Sequence, residues 1–230
     1  YPSGKYAYND NDGTTGYDRE YAMFLSEVWA EAHWADAHIQ LPEWSDYRAD
    51  FALLNGRVYP DTIAPNSPLA APPYPATLRT LPVKTDANGD LLTNPGYEHL
   101  QNQPLSSLVR CNAGERVLLR FSNLGFKEAA ITIAGIRLRV VGKDATLLRG
   151  RDGTDISYET ETLSFSAGES VDAIFTAPPY QNSPDGYNKY ILYNRRYTNA
   201  NNLGSGRFGG QATEIHVYPN GVPAQLLPNT

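Results

Sequence analysis

Arg116-Val-Leu-Leu-Arg-Phe-Ser122 is the stretch that decides the fold class. Val117, Leu119 and Phe121 fall at alternate positions and share one face. Arg116, Arg120 and Ser122 share the other, the period-two signature of a half-buried strand. Short apolar runs surround it on both sides: Leu108 to Cys111, Ala130-Ile-Thr-Ile133, Leu138-Arg-Val-Val141, Leu163/Phe165, Val171/Ile174/Phe175, Tyr190-Ile-Leu-Tyr193 and Thr213-Glu-Ile-His-Val217. Upstream, Tyr21-Ala-Met-Phe-Leu25 reads as a buried strand, and Phe51-Ala-Leu-Leu54 runs into Asn55-Gly56, a dipeptide that takes positive φ and marks a hairpin turn. Ala-Gly-Glu at 113–115 and again at 167–169 places a turn before a strand. Roughly ten short strands spaced by turn signals describe an all-β antiparallel sandwich or barrel with long ordered loops. No heptad and no repeat period competes with that reading.

The remaining segments lack periodicity. Residues 1–18 (YPSGKYAYNDNDGTTGYD) are polar and rich in Gly, Asn and Asp, which predicts a linker or arm outside the packed elements. Trp29 to Trp44 reads as irregular or briefly helical. Residues 60–104 hold nine prolines, including Pro72-Pro73, and predict a proline-stiffened surface excursion.

Composition sets the outer bounds. With 230 residues, the default is one large domain with its own core. Lys+Arg 19 against Asp+Glu 25 gives a formal charge of −6, which disfavours nucleic acid as a partner. No apolar run is long enough for a membrane-spanning helix, and the opening YPSGKYAYND carries no basic-then-apolar leader. Cys111 is the sole cysteine, so no intrachain disulfide and no Cys-rich zinc scheme is available.

The chemistry-bearing residues do not assemble into a motif. His33 and His38 are five apart and would diverge by about 140° on a helix, a poor geometry for a shared metal. His99 in a turn-rich loop and His216 in the last strand each read as isolated polar groups. Asp10-Asn-Asp-Gly13 resembles a calcium loop, but placing Gly13 at the sixth position puts Tyr8 first and Arg19 twelfth. Asp86-Ala-Asn-Gly89 fails in the same way, with Lys84 first and Pro95 twelfth, and both read as turns. Gly204-Ser-Gly-Arg-Phe-Gly-Gly210 lacks the context of a phosphate loop, and Ser205 lies in no GxSxG elbow. Cys111 has no base near it in sequence. Glu159, Glu161, Glu169 and Asp172 are carboxylates that adjacent strands would have to bring together for acid–base work. Arg120 and Asp172 also read as polar anchors where strands meet loops.

Four segments carry a family likeness: Arg48–Thr62 (RADFALLNGRVYPDT), Asn112–Gly125 (NAGERVLLRFSNLG), Gly135–Ala145 (GIRLRVVGKDA) and Phe165–Pro178 (FSAGESVDAIFTAP). In order and spacing they resemble the second, middle cupredoxin domain of a bacterial multicopper oxidase of the laccase-like class. Tyr17–Val28 resembles the strand leading out of the first domain, and Gly209–Thr230 the exit from the second. The resemblance implies a cupredoxin-like Greek-key β-sandwich over residues 18–220, with an arm at 1–17 and a C-terminal linker at 221–230.

The family's copper ligands do not transfer to this sequence. A type 1 site needs two His and a Cys in a His-Cys-His run, whereas Cys111 sits in Val-Arg-Cys-Asn. The oxygen-reducing cluster needs His-x-His pairs and more histidines than the four present here. Where many middle domains have Gly-His, this chain has Gly135-Ile136, and Met23 has no histidine neighbour. The resemblance therefore implies no catalytic, cofactor or metal residues in this chain, with copper only in flanking domains of a parent oxidase. Other cupredoxin domains are the implied partners, within one polypeptide or by self-association. A secreted, periplasmic or cell-surface location is likewise implied. Two rival expectations are a free-standing structural or surface module, and a hydrolytic or carbohydrate-binding sandwich.

Overall fold

The computed structural model describes residues 4–66, 100, 103–202 and 209–230. The expectations for most of the proline-rich excursion, for Asp86–Gly89, for His99 and for Ser205 lie outside these residues. Two sheets face each other. The strands of the first are β3 (Arg19–Val28), β4 (Phe51–Leu54), β6 (Arg116–Asn123), β8 (Leu138–Lys143), β9 (Thr146–Leu147), β10 (Tyr158–Thr160) and β12 (Ser170–Thr176), ordered β10-β8-β12-β6-β3-β4 with β9 on β8. The second contains β5 (Val109–Asn112), β7 (Ala129–Ile133), β11 (Thr162–Phe165), β13 (Asn188–Asn194) and β14 (Ala212–Tyr218), ordered β11-β7-β13-β14-β5. Most pairs are antiparallel; β3 with β6 and β14 with β5 are parallel, which breaks the simple meander. The all-β, cupredoxin-like sandwich expected from the sequence is the fold observed.

Alternation puts the core where the sequence places it. In the β12–β6 register, Val171 faces Phe121, Ala173 faces Leu119 and Phe175 faces Val117, all buried between the sheets. Val109, Cys111, Ile131, Ile133, Leu163, Phe165, Leu192, Ile215 and Val217 meet them from the second sheet. Asn55 (φ 52°) and Gly56 (φ 76°) form the tight turn after β4, with Leu54 and Arg57 exchanging backbone bonds across it. Both Ala-Gly-Glu turns work alike. The Glu115 carboxylate accepts from the Asn112 N–H at 2.6 Å, and Glu169 accepts from the Ser166 N–H at 2.6 Å.

Two expectations are corrected. Within the expected arm, the described residues 4–18 are docked: β1 (Lys5–Tyr6) and β2 (Gly16–Tyr17) pair antiparallel and lie on the outer face of the first sheet. There Ala7, Tyr8 and Tyr17 cover Leu118, Val141 and Ile174, so Leu118 is buried on the outer face of β6 while Arg116, Arg120 and Ser122 on that face stay partly exposed. Asp10 does act in a turn, accepting from the N–H groups of Gly13 and Thr15. The segment after Tyr218 is also engaged. The first half of β3 extends beyond β4, and side-chain amides take the place of a neighbouring strand along that edge. Gln225 brackets Glu20 (2.6 and 3.0 Å) and Asn229 brackets Ala22 (2.9 and 3.0 Å), while Asn55 accepts from the Phe24 N–H at 2.8 Å. An amide presents the same donor and acceptor as a peptide, which is how it satisfies a strand edge.

Candidate functional site

The residues that a redox metal would require are dispersed. Cys111 is fully buried on β5 and points into the core; its Sγ lies 3.9 Å from the carbonyl oxygen of His216. Burial, reinforced by Glu115, pushes its thiol up to about 12. On the neighbouring β14, Val217 is the residue level with Cys111, and His216 is level with Arg110. Adjacent positions on a strand point to opposite faces, so the His216 imidazole lies on the far side of the sheet from the Cys111 thiol. That imidazole is held elsewhere: its Nε2 is 2.7 Å from the Glu214 carboxylate, and its ring stacks on Tyr187 at 3.9 Å. Burial lowers the His216 pKa below the usual imidazole value, against the opposing pull of Glu214. Glu214 also accepts from Tyr59 (2.8 Å) and Lys189 (3.2 Å). Burial alone would raise its pKa; the bonds from His216, Tyr59 and Lys189 win and keep it low.

His33 and His38 sit on and just after helix α1 (Ala30–Ala37), exposed, with the His38 ring stacked on Trp34 at 4.3 Å. Met23 is buried in the core. Among the described residues, no three His, Cys, Asp or Glu side chains converge as a metal site. The four carboxylates are also separated in use. Glu159 and Glu161 flank the exposed Arg137, Glu169 closes a turn, and Asp172 accepts from Arg120 at 2.9 Å and from Tyr8.

The structure does assemble an aromatic cleft, which the sequence reading left unassigned. It opens where β3 ends and α1 begins, encloses about 360 Å³, and is walled by Trp29, His33, Leu41, Trp44, Tyr47 and Phe126. Trp29 is buried and meets Trp44 and Tyr47 edge-on, with centroids at 5.7 and 5.5 Å. Phe126, from the β6–β7 loop, packs on Trp44 at 5.4 Å and on Tyr47 at 4.9 Å. Glu27 ties the base together by accepting from the Tyr47 hydroxyl (2.7 Å), the Phe126 N–H (2.8 Å) and Asn199 (2.8 Å). Tyr47 is thereby held in its neutral form, its pKa raised by burial and then by Glu27. The rim is open, with Leu41 96%, Phe126 63% and Trp44 52% exposed beside the polar His33, Asp36 and Gln40. All three tryptophans of the chain fall between residues 29 and 44. That clustering is the signal a composition-based reading could have used.

No protein-family model and no curated protein matches this chain. Solved structures do match. A blue copper oxidase from Nitrosomonas europaea aligns over 86% of the chain at 18% identity with a TM-score of 0.54. The multicopper oxidase mgLAC aligns over 90% at 19% identity with a TM-score of 0.56. The laccase from Botrytis aclada aligns over 94% at 16% identity with a TM-score of 0.50. These likenesses establish the class as a cupredoxin-like β-sandwich. The structures that share it here are multicopper oxidases and a laccase, the family whose resemblance is read in the sequence. The chain spans 43%, 46% and 32% of those three proteins, less than half of each.

Proposed function

We propose that this chain serves as a copper-free cupredoxin domain of a multicopper oxidase, in the middle position, holding flanking copper-binding domains in register. One observation carries the reading: Cys111 and His216, one register step apart on neighbouring strands, project from opposite faces of one sheet. A type 1 site needs a thiolate and two imidazoles converging on one point. The residues present do not fit that group. Oxidation of phenols or metal ions coupled to oxygen reduction would then belong to copper held by other domains, and no step of it is assigned to these residues. The open aromatic rim around Trp44 and Phe126 supports a role at an interface beside a substrate cleft, because contiguous exposed apolar surface marks contact sites. A secreted, periplasmic or surface location follows from the same reading.

Copper titration of the purified chain tests this. No stoichiometric tight binding and no intense blue absorption is the expected result; one tightly bound copper with such a band overturns the proposal. A second reading, a binding module for flat-ring ligands such as sugars, is favoured by the half-exposed Trp44 and Phe126 rings. Saturable quenching of tryptophan fluorescence by soluble oligosaccharides would support it over the scaffold role.

A further inference from the structure

The arginines in and beside the first sheet have their charges matched one by one, with two departures. Arg19 pairs with Glu115 at 2.6 Å, Arg120 with Glu20 at 2.6 Å, Arg139 with Asp155 at 2.7 Å and Arg149 with Asp12 at 2.8 Å. Arg116 has no carboxylate within 4.0 Å among the described residues, and Arg137 is only loosely flanked by Glu159 (3.8 Å) and Glu161 (3.6 Å). The two departures line one cleft of about 370 Å³, together with Arg139, Gly135, Thr176 and Glu159.

Arg116 and Arg139 are forced together by a shared acceptor. Nη2 of Arg116 and Nη1 of Arg139 both donate to the Thr14 carbonyl oxygen, at 2.6 and 3.0 Å. A single carbonyl is a weak counter-group for two cations. The carboxylates closest in influence are spent elsewhere: Asp18 accepts from the Arg116 backbone N–H, and Asp10 accepts from Gly13 and Thr15. Burial and then the neighbouring Arg139 charge lower the pKa of Arg116, and the charges of Asp18 and Asp10 offset that only in part. In a chain of net charge −6, the charged side chains on the wall of this cleft are three guanidinium groups against one carboxylate, and Arg116 alone of the three has no carboxylate partner among the described residues.

We propose that this cleft binds a phosphate-type oxyanion, gripped by the guanidinium groups of Arg116 and Arg137 with the Thr176 hydroxyl as a further donor, while Arg139, whose nitrogens are taken by Ser157, Thr14 and Asp155, forms the wall behind them. Guanidinium forks match oxyanion geometry and bind by charge-assisted hydrogen bonds, and Gly135 leaves the wall without a side chain to fill the space. Glu159, the one carboxylate on the lining, opposes an anion.

The test is a titration of the purified chain with inorganic phosphate at constant ionic strength, followed by calorimetry and by the thermal midpoint, with sulfate, acetate and chloride in parallel. A saturable single-site response to phosphate, weaker for acetate and absent for chloride, is expected. Arg116→Gln and Arg137→Gln should each weaken binding by roughly tenfold, the scale of one charge-assisted bond. Arg137 is largely exposed, so that variant reports on binding even if Arg116→Gln unfolds. Glu159→Gln should tighten binding, and Arg195→Gln, placed elsewhere, should leave it unchanged. Absence of a phosphate response beyond chloride, equal binding of acetate, or full binding by Arg137→Gln overturns the proposal.

Discussion

The Tyr8 hydroxyl donates to the Asp172 carboxylate, which simultaneously receives Arg120 from the facing strand. Through this bond the N-terminal hairpin is tied to the middle of the sheet, above Leu118 and Ile174. Tyr8→Phe should therefore destabilise the fold by about 1–2 kcal/mol, less than the full value of a bond to a charged group because Asp172 keeps Arg120. Burial and then Asp172 raise the Tyr8 pKa above its ordinary 10.0, and Tyr17 and Tyr59 are each raised to about 12. A raised phenol pKa contributes stability that is complete below pH 10 and is lost as pH rises through the folded value. Denaturant midpoints measured on the alkaline side should fall from pH 10 upward, and less steeply in Tyr8→Phe. An unchanged alkaline limb in the variant would count against this role.

Gly142 gives the same contact a second test. A Cβ at Gly142 would collide with the Tyr8 ring and hydroxyl, which lie directly over the backbone there. Gly142→Ala should expel Tyr8 and destabilise by about 1–3 kcal/mol, the range for overpacking. Combined with Tyr8→Phe, the loss should be smaller than the sum, because both changes break one contact. Simple additivity in a double-mutant cycle would place the clash elsewhere.

The uneven legibility of the sequence has a physical cause. Val117, Leu119 and Phe121 announce a strand because side-chain alternation is written directly in residue identity. The hairpin at residues 5–17 docks in a different way. It offers backbone carbonyls, Ala7 O to Arg120 and Thr14 O to Arg116 and Arg139, and carbonyls leave no trace in composition. Gln225 and Asn229 read as linker polarity for the same reason, although each substitutes for a strand edge. The aromatic cleft was half visible: the tryptophans are clustered in sequence, but Phe126 joins them from a loop far along the chain.

Arg19 and Glu115 should govern acid stability. Arg19 is 2% exposed, is clasped by both oxygens of Glu115 at 2.6 and 3.1 Å, and donates further to the carbonyls of Val222 and Pro223. Burial would raise the Glu115 pKa; the bonds from Arg19 and Asn112 win and lower it. Its contribution is therefore complete above the ordinary value of 4.5 and is lost as pH falls through the lower folded value. Glu115→Gln leaves a buried cation with carbonyls alone and should cost about 3 kcal/mol near neutrality. Urea midpoints at a series of pH values should show a shallower acid limb in the variant.

Cys111 should behave as a core residue rather than a ligand. Its thiol is fully buried and titrates near 12, so a thiol-specific reagent applied near pH 8.5, where a free cysteine is half ionised, should react only after the chain unfolds. Cys111→Ala should cost about 1 kcal/mol, the scale for losing one buried heavy atom. Rapid labelling of the folded protein would place the thiol at the surface and reopen it as a reactive group.

The aromatic cleft separates residues that hold the fold from residues that offer a surface. Trp29 is 4% exposed and is the ring on which Trp44 and Tyr47 rest, so Trp29→Ala should destabilise by about 3–5 kcal/mol. Trp44 and Phe126 stand half in solvent, and the Trp44→Ser/Phe126→Ser double variant should shift the unfolding midpoint far less. If the rim is a contact surface, a hydrophobic dye should bind the folded parent chain, and the double variant should lose most of that fluorescence while keeping its thermal midpoint within a few degrees. Dye binding that survives the double substitution would locate the sticky surface elsewhere. A collapse of the midpoint would make Trp44 and Phe126 part of the core that Trp29 already anchors.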